Sequence, residues 1–238
     1  MPWPLRANAK AGVPSVGVLS AGTVDSSGHL VDAFTQGLNG RGYVEGKNIL
    51  IERRYAQGQL DRLSALAAEL ASLNVDIILA ATGSAALAAQ KASKTIPIVF
   101  ALVTDPVGEG FVSSLARPGG RLTGLTNIAV DLAAKRLQTL QEAVPNLSRI
   151  GVLYFQAYLG VALQLGELQR AAEALGKLLL PIEVGRPGEY PAAFEKMMQW
   201  QANAAAVIEN PILDRKSHPP CAELILESFQ PTLRLLSR

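Results

Sequence analysis

The chain predicts an α/β protein of two doubly wound parallel-sheet lobes, the second with fewer strands than the first. Three observations predict it. Short apolar, β-branched runs alternate with longer segments whose apolar residues recur at helical spacing, which implies parallel strands covered by helices. The alternation restarts once, since Ile150-Gly151-Val152-Leu153 repeats the character of Val16-Gly17-Val18-Leu19. The second series then runs out of strands sooner than the first. Two such units in tandem imply two lobes with a cleft between them, the build of a hinged binding protein. The expected divisions are a tail at 1–13, a first lobe at 14–128 and a partial second lobe at 129–238.

Each element follows from local signals. Ser15–Leu19 reads as a buried strand that ends in the small polar turn Ser20-Ala21-Gly22-Thr23. Ser26 or Ser27 caps the next helix, which runs to about Gly40 with Leu30, Phe34 and Leu38 on one face. Gly42 and Gly46 bracket the link to a second strand, Asn48–Arg54. Asp61 caps a helix with a core stripe of Leu63, Leu66, Leu70 and Leu73. Asp76–Ala80 is a third strand, ending in Ala81-Thr82-Gly83-Ser84, and Ser84 begins an Ala-rich helix to about Ser93. Ile96–Ala101 is a fourth strand, apolar enough to be buried on both faces. It leads to Val103-Thr104-Asp105-Pro106, a short helical segment, and Arg117-Pro118-Gly119-Gly120, which cannot continue a helix. Leu122–Leu125 is the fifth strand and ends in Thr126-Asn127.

The second lobe reads as a helix over about Asp131–Val144, strand Arg149–Tyr154, helix 160–175, strand Leu178–Glu183, helix 189–201, strand Ala204–Ile208 and helix 219–228. A three-strand lobe buries less apolar area and leaves a sheet edge uncovered.

Composition narrows the function. Apolar residues at 49% with 18% charged residues fit a globular chain with a sizeable core. A net charge of +2 without a Lys/Arg block gives no electrostatic support for nucleic-acid binding. No apolar run reaches the roughly 18 residues of a transmembrane helix, so direct membrane insertion is not expected. The N-terminus lacks the apolar core of a signal peptide, although Ala7-Asn8-Ala9 has the form of a cleavage site. Cys221 is the single cysteine, so no internal disulfide forms, and a packing role suits it better than a catalytic one. His29 and His218 stand in no metal-ligand spacing. A G-x-S-x-G elbow, a P-loop and a dinucleotide fingerprint are all missing. These absences weigh against the main rival, an enzyme on a flavodoxin-like or Rossmann-like sheet. A fragment that binds nothing is the other alternative.

In open parallel sheets, ligands sit outside the carboxyl ends of the strands. The candidate site is therefore the set of first-lobe strand ends: Ser20, Thr23, Thr82, Ser84, Thr104, Asp105, Thr126 and Asn127. Hydroxyls and the Ser84 amide at a helix N-terminus suit a carboxylate, and Asp105 suits an α-ammonium group. Together they suit a zwitterionic amino acid. The plainer alternative is that the hydroxyls are caps and Asp105 opens an Asp-Pro turn. Second-lobe strand ends are Tyr154-Phe155-Gln156 and Glu209-Asn210; Phe155 or Tyr158 suits stacking on an aromatic ligand, with packing as the plainer role.

Three segments carry a family resemblance: "IPIVFALVTDPVGEGFVSSLARPGGRLTGLTN", "GLNGRGYVEGKNILIERRYAQGQLDRLSALAAEL" and "DIILAATGSAALAAQKAS". In these, and from about Val16 to about Pro211, the chain resembles ABC-transporter substrate-binding proteins of the tryptophan/aromatic-amino-acid type. The resemblance implies a type I periplasmic-binding-protein fold, here truncated in its second lobe. It implies an extracytoplasmic solute-binding protein that closes by a hinge on an amino acid or similar small molecule and delivers it to an ABC permease. It implies no cofactor and no covalent chemistry, and a periplasmic location if a signal peptide precedes the given start; Trp3-Pro4-Leu5 resembles the end of such a leader. Phe155-Gln156-Ala157-Tyr158 departs from the Asn-Pro type turn of the family.

Overall fold

The structure is a computed structural model that describes residues 12–127, 129–155, 159–185 and 187–208. The chain divides into two units, Met1–Asn127 and Ile128–Arg238.

In the first unit, β1 (Ser15–Ser20) lies between β2 (Leu50–Tyr55) and β3 (Ile77–Ala80). β4 (Ile98–Val103) and β5 (Leu122–Thr126) extend a five-stranded parallel sheet of order β2-β1-β3-β4-β5. The connecting helices are α1 (Val24–Asn39), α2 (Leu63–Ser72) and α3 (Gly83–Ala92). Side chains alternate across a strand. Val16 and Val18 pack with Val31 of α1 and with Ile49 and Ile51. Gly17 points the other way, where a Cβ would stand 3.0 Å from Leu70 of α2. α1 and α2 thus cover opposite faces, and the sheet is doubly wound.

Several local expectations are corrected. The cap of α1 is Thr23, not Ser26 or Ser27. Its hydroxyl accepts from Ser26 N–H at 3.0 Å while Ser26 Oγ accepts from Thr23 N–H at 2.9 Å, a reciprocal capping box. The helix therefore starts earlier, and its buried stripe runs through Val31 with Phe34 and Leu38, while Leu30 is 46% exposed. Asp61 makes no cap; it lies in a 3-10 turn, Leu60–Arg62, ahead of α2. Leu63, Leu66 and Leu70 are buried, but Leu73 lies past the end of α2 and is 51% exposed. α3 starts at Gly83, capped by Thr82, rather than at Ser84. After Pro106 the chain forms turns instead of a helical segment.

β4 is also displaced and differently buried. It runs Ile98–Val103 rather than Ile96–Ala101, and its burial alternates instead of covering both faces. Its pairing with β5 steps from Phe100↔Gly124 to Val103↔Thr126, three residues against two, which is a β-bulge. The bulge returns Val103 to the buried face of Phe100 and leaves Leu102 exposed.

In the second unit, β6 (Arg149–Tyr154) lies between β7 (Leu178–Glu183) and β8 (Ala204–Val207), all parallel. α4 (Ala133–Ala143) and α5 (Val161–Ala174) pack on the Ile150 and Val152 face through Leu137, Val161 and Leu168. α6 (Tyr190–Gln199) packs on the opposite face through Phe194 and Met197. The expected helix at 219–228, together with His218 and Cys221, lies outside the described residues.

The two units repeat more than strand order. Gly151, third in β6 as Gly17 is third in β1, gives its Cβ space to Met197 of α6. Asp76 Oδ2, just before β3, accepts from Ser15 N–H at 2.8 Å and Ser15 Oγ at 3.0 Å. Asn203 Oδ1, just before β8, accepts from Ser148 N–H at 3.0 Å, Ser148 Oγ at 2.7 Å and Arg149 N–H at 3.0 Å. Each clamp fastens the start of a central strand to the strand that pairs with it two strands later. Among the described residues no helix is long and apolar enough to cross a membrane.

Candidate functional site

Because β1, β3, β4 and β5 are parallel neighbours, their carboxyl ends lie on one edge of the first sheet. That edge carries Ser20 and Thr23, Thr82 and Ser84, Thr104 and Asp105, and Thr126 and Asn127. The strand order reverses between β1 and β3, because the chain leaves β1 toward β2 on one side and returns to β3 on the other. Such a switch point leaves a crevice between two loops. Here both loops open helices, α1 and α3, and helix N-termini present unpaired N–H groups and positive dipole ends.

The hydroxyl residues divide by their bonding. Ser20 is fully buried; its Oγ donates to Ser27 Oγ at 3.1 Å and accepts from Gly22 N–H at 3.2 Å. Thr23 is engaged in the α1 capping box. Thr82 is buried, and its Oγ1 accepts from Ala85 N–H at 3.3 Å. These three shape the two helix entries. Thr82→Ala is expected to lower stability by about 1 kcal/mol, with Thr82→Ser close to the parent, as read from urea unfolding midpoints. Ser84, Asp105, Thr126 and Asn127 are half-buried and so partly open to solvent. Thr126 Oγ1 donates to the carbonyl of buried Thr104 at 3.2 Å, and Asn127 N–H donates to Val103 O at 3.4 Å. The end of β5 is thereby tied to the end of β4 beyond the bulge.

Asp105 opens a single tight turn. Its Oδ1 accepts from Gly108 N–H at 2.9 Å, and its carbonyl accepts from Glu109 N–H at 2.8 Å. A Cβ on Gly108 would lie 2.2 Å from Asp105 Oδ2, so the carboxylate lies directly over that glycine. The Asp105 N–H donates to Glu109 Oε1 at 3.4 Å. Sequence reasoning did not single out Glu109. It follows Asp105 by four residues, one beyond capping-box spacing, so no standard pattern marks it. Burial pushes its carboxyl up to about 7; the Asp105 N–H opposes this and the Asp105 charge adds to it.

Other candidates fall elsewhere. Tyr154 and Phe155 are partly buried and pack against the Ile150 and Val152 cluster. Gln156, Tyr158, Glu209 and Asn210 lie outside the described residues. Among the described residues no group of three or more His, Cys, Asp or Glu is placed to hold a metal ion. An apolar groove in the second unit, lined by Ala133, Leu137, Gln164, Leu168 and Ile208, is bounded by the last described residue of the chain.

Comparison with known proteins places this geometry in context. The family model described as ABC transporter substrate binding protein matches residues 15–215. A tyrosine-binding protein of Clostridioides difficile (strain R20291) is 33% identical over 141 residues, which cover 59% of this chain and 40% of that protein. The match thus spans less than half the length of that relative. Among solved structures, a conserved domain protein from Vibrio cholerae aligns with a TM-score of 0.77 at 27% identity, covering 84% of this chain and 67% of the other. The ABC domain in complex with L-Trp from Streptococcus pneumoniae aligns with a TM-score of 0.74 at 23% identity, covering 92% and 72%. The fold is the α/β, parallel-sheet fold of type I periplasmic binding proteins, with a small sheet in the second unit. With its model matched over most of the length, the chain belongs to the ABC transporter substrate binding protein family.

Proposed function

We propose that the chain binds an amino acid or a similar small zwitterion at the carboxyl edge of the first sheet. The observation that carries this reading is the convergence there of two capped helix N-termini and the Asp105 carboxylate. The N–H groups opening α1 and α3 receive the ligand carboxylate. Asp105 takes the ammonium group, with Ser84, Thr126 and Asn127 supplying further polar groups and Ser20, Thr23, Thr82 and Thr104 holding the loops in place. The relative that is named a tyrosine-binding protein supports an amino acid as the ligand class.

The action proposed is carriage without chemistry. The second unit closes by a hinge over the ligand, excludes water and strengthens each polar contact, as charges interact more strongly at low dielectric. The loaded protein then delivers its ligand to an ABC permease from outside the cytoplasm. The family reading displaces the enzyme alternative.

A thermal-shift panel of the amino acids, small organic acids and sugars tests this reading, with L-tyrosine first. A ligand at a hundred times its dissociation constant is expected to stabilise the fold by about 2.7 kcal/mol. A cooperative melt that no amino acid moves would refute the ligand class.

A further inference from the structure

Glu109 Oε2 is the buried side-chain polar atom that finds no hydrogen-bond partner among the described residues. Its sister Oε1 takes only the long bond from Asp105 N–H. Two carboxyl groups therefore share one turn at the end of β4. That of Asp105 is half open and partnered through Oδ1; that of Glu109 has an enclosed oxygen. Asp105 is the charged group that acts on Glu109, and among the described residues no basic group offsets it. The turn runs directly into buried Phe111 and Val112, with the Phe111 ring 6.3 Å from that of Phe100 on β4. A charged Glu109 thus has one oxygen shut off from solvent and, among the described residues, no cation beside it.

We propose that Glu109 is a proton-linked positioning residue for Asp105, so that capture of an ammonium-bearing ligand expels a proton from Glu109 and binding tightens as Glu109 ionises. This rests on Asp105 being the ammonium partner. A cation placed at Asp105 stands within reach of the second carboxyl and favours its charged form. By linkage, the ligand's effect on the proton equals the proton's effect on the ligand. The ionised Oε1 also becomes the stronger acceptor for Asp105 N–H, holding the turn in its ligand-ready form.

The sign for the free chain is fixed by the same group. Its folded pKa, about 7, lies above the ordinary 4.5. The folded chain therefore keeps a proton that the unfolded chain has released. This contribution to stability is complete below the ordinary value and is lost as pH rises through the folded one. Glu109→Gln removes that slope.

Two arms on the full chain test the proposal. Calorimetric titration of L-tyrosine is run at about pH 6 and about pH 7.5, in buffers of different protonation heat. The parent is expected to bind up to about eightfold more tightly at the higher pH with proton release, and E109Q to show neither. Equal affinity at both pH values in the parent, or a pH slope retained in E109Q, overturns the proposal. Failure of L-tyrosine to bind at either pH counts against the amino-acid reading, and the second arm then decides the proton coupling alone. In that arm the free chain, 13C-labelled in its Glu carboxyls, is titrated by NMR. A midpoint near 7 that vanishes in E109Q, and that the Asp105 and Gly108 amide shifts follow, sustains the coupling. A midpoint for Glu109 in the ordinary carboxylate range, or amides that ignore it, overturns it.

Discussion

Gly124→Ala is expected to lower the unfolding midpoint by roughly 6–12 °C, while Gly120→Ala leaves it nearly unchanged. A Cβ at Gly124 would lie 2.0 Å from the Phe100 carbonyl oxygen and 2.5 Å from the Phe100 ring. The oxygen belongs to the backbone of β4 and the ring is buried in the core, so neither yields by a simple rotamer change. β5 would have to move away from β4 at the pair just before the bulge. Gly124 itself is exposed, but overpacking costs about 1–3 kcal/mol and a collision with backbone belongs at the upper end. The separation would also stretch the Thr126-to-Thr104 and Asn127-to-Val103 bonds, so ligand binding should weaken along with stability. Gly120 has open space where its Cβ would stand. Thermal unfolding of both variants by circular dichroism checks the difference. A Gly124→Ala melt that matches the parent would show that β4 and β5 are not packed as described.

The second large effect concerns binding. Asp105→Ala and Asp105→Asn are both expected to weaken amino-acid binding roughly 10- to 100-fold, the worth of a hydrogen bond to a charged group. They differ in stability. Asn keeps an oxygen for Gly108 N–H and preserves the turn, whereas Ala removes the cap and costs about 1 kcal/mol in addition. Titration calorimetry paired with urea unfolding separates the two losses. Full affinity in Asp105→Asn would exclude this carboxylate as the ammonium partner and leave it a turn residue.

Much of this architecture was legible because buried parallel strands announce themselves as β-branched apolar runs, as in Val16–Leu19 and Ile150–Leu153. Their order along the chain then restricts the sheet to few arrangements. Finer features depended on choices that neighbouring residues leave open. Thr23, Ser26 and Ser27 all have capping chemistry, and only the loop geometry selects Thr23. Leu30 and Val31 sit side by side about 100° apart on the helix, and the placement of α1 on β1 and β2 brings Val31 inward. Leu73 keeps helical spacing but follows the last turn of α2, so its periodicity had no helix to act on. The bulge in β4 was hidden because an extra residue in a strand leaves no composition signal, yet it decides which way Thr104 and Asp105 leave the sheet. The eight strand-end residues could be named since parallel strands end on one edge. Their division into loop-holding and solvent-open groups could not, for it depends on partners such as Ser27 and Ala85 that are met only in three dimensions.

The paired clamps have a consequence for how the chain assembles. Asp76 reaches back 61 residues to Ser15, and Asn203 reaches back 55 to Ser148. The entropy of closing a flexible loop grows only with the logarithm of its length, so the two closures differ by about 0.1 kcal/mol. Each central strand must wait for a helix, an edge strand and a second helix to be synthesised before its second neighbour arrives. The two halves therefore face nearly the same conformational search, one after the other, as they leave the ribosome. The first can complete its five-stranded sheet from residues that all precede Ile128, without help from the half that follows.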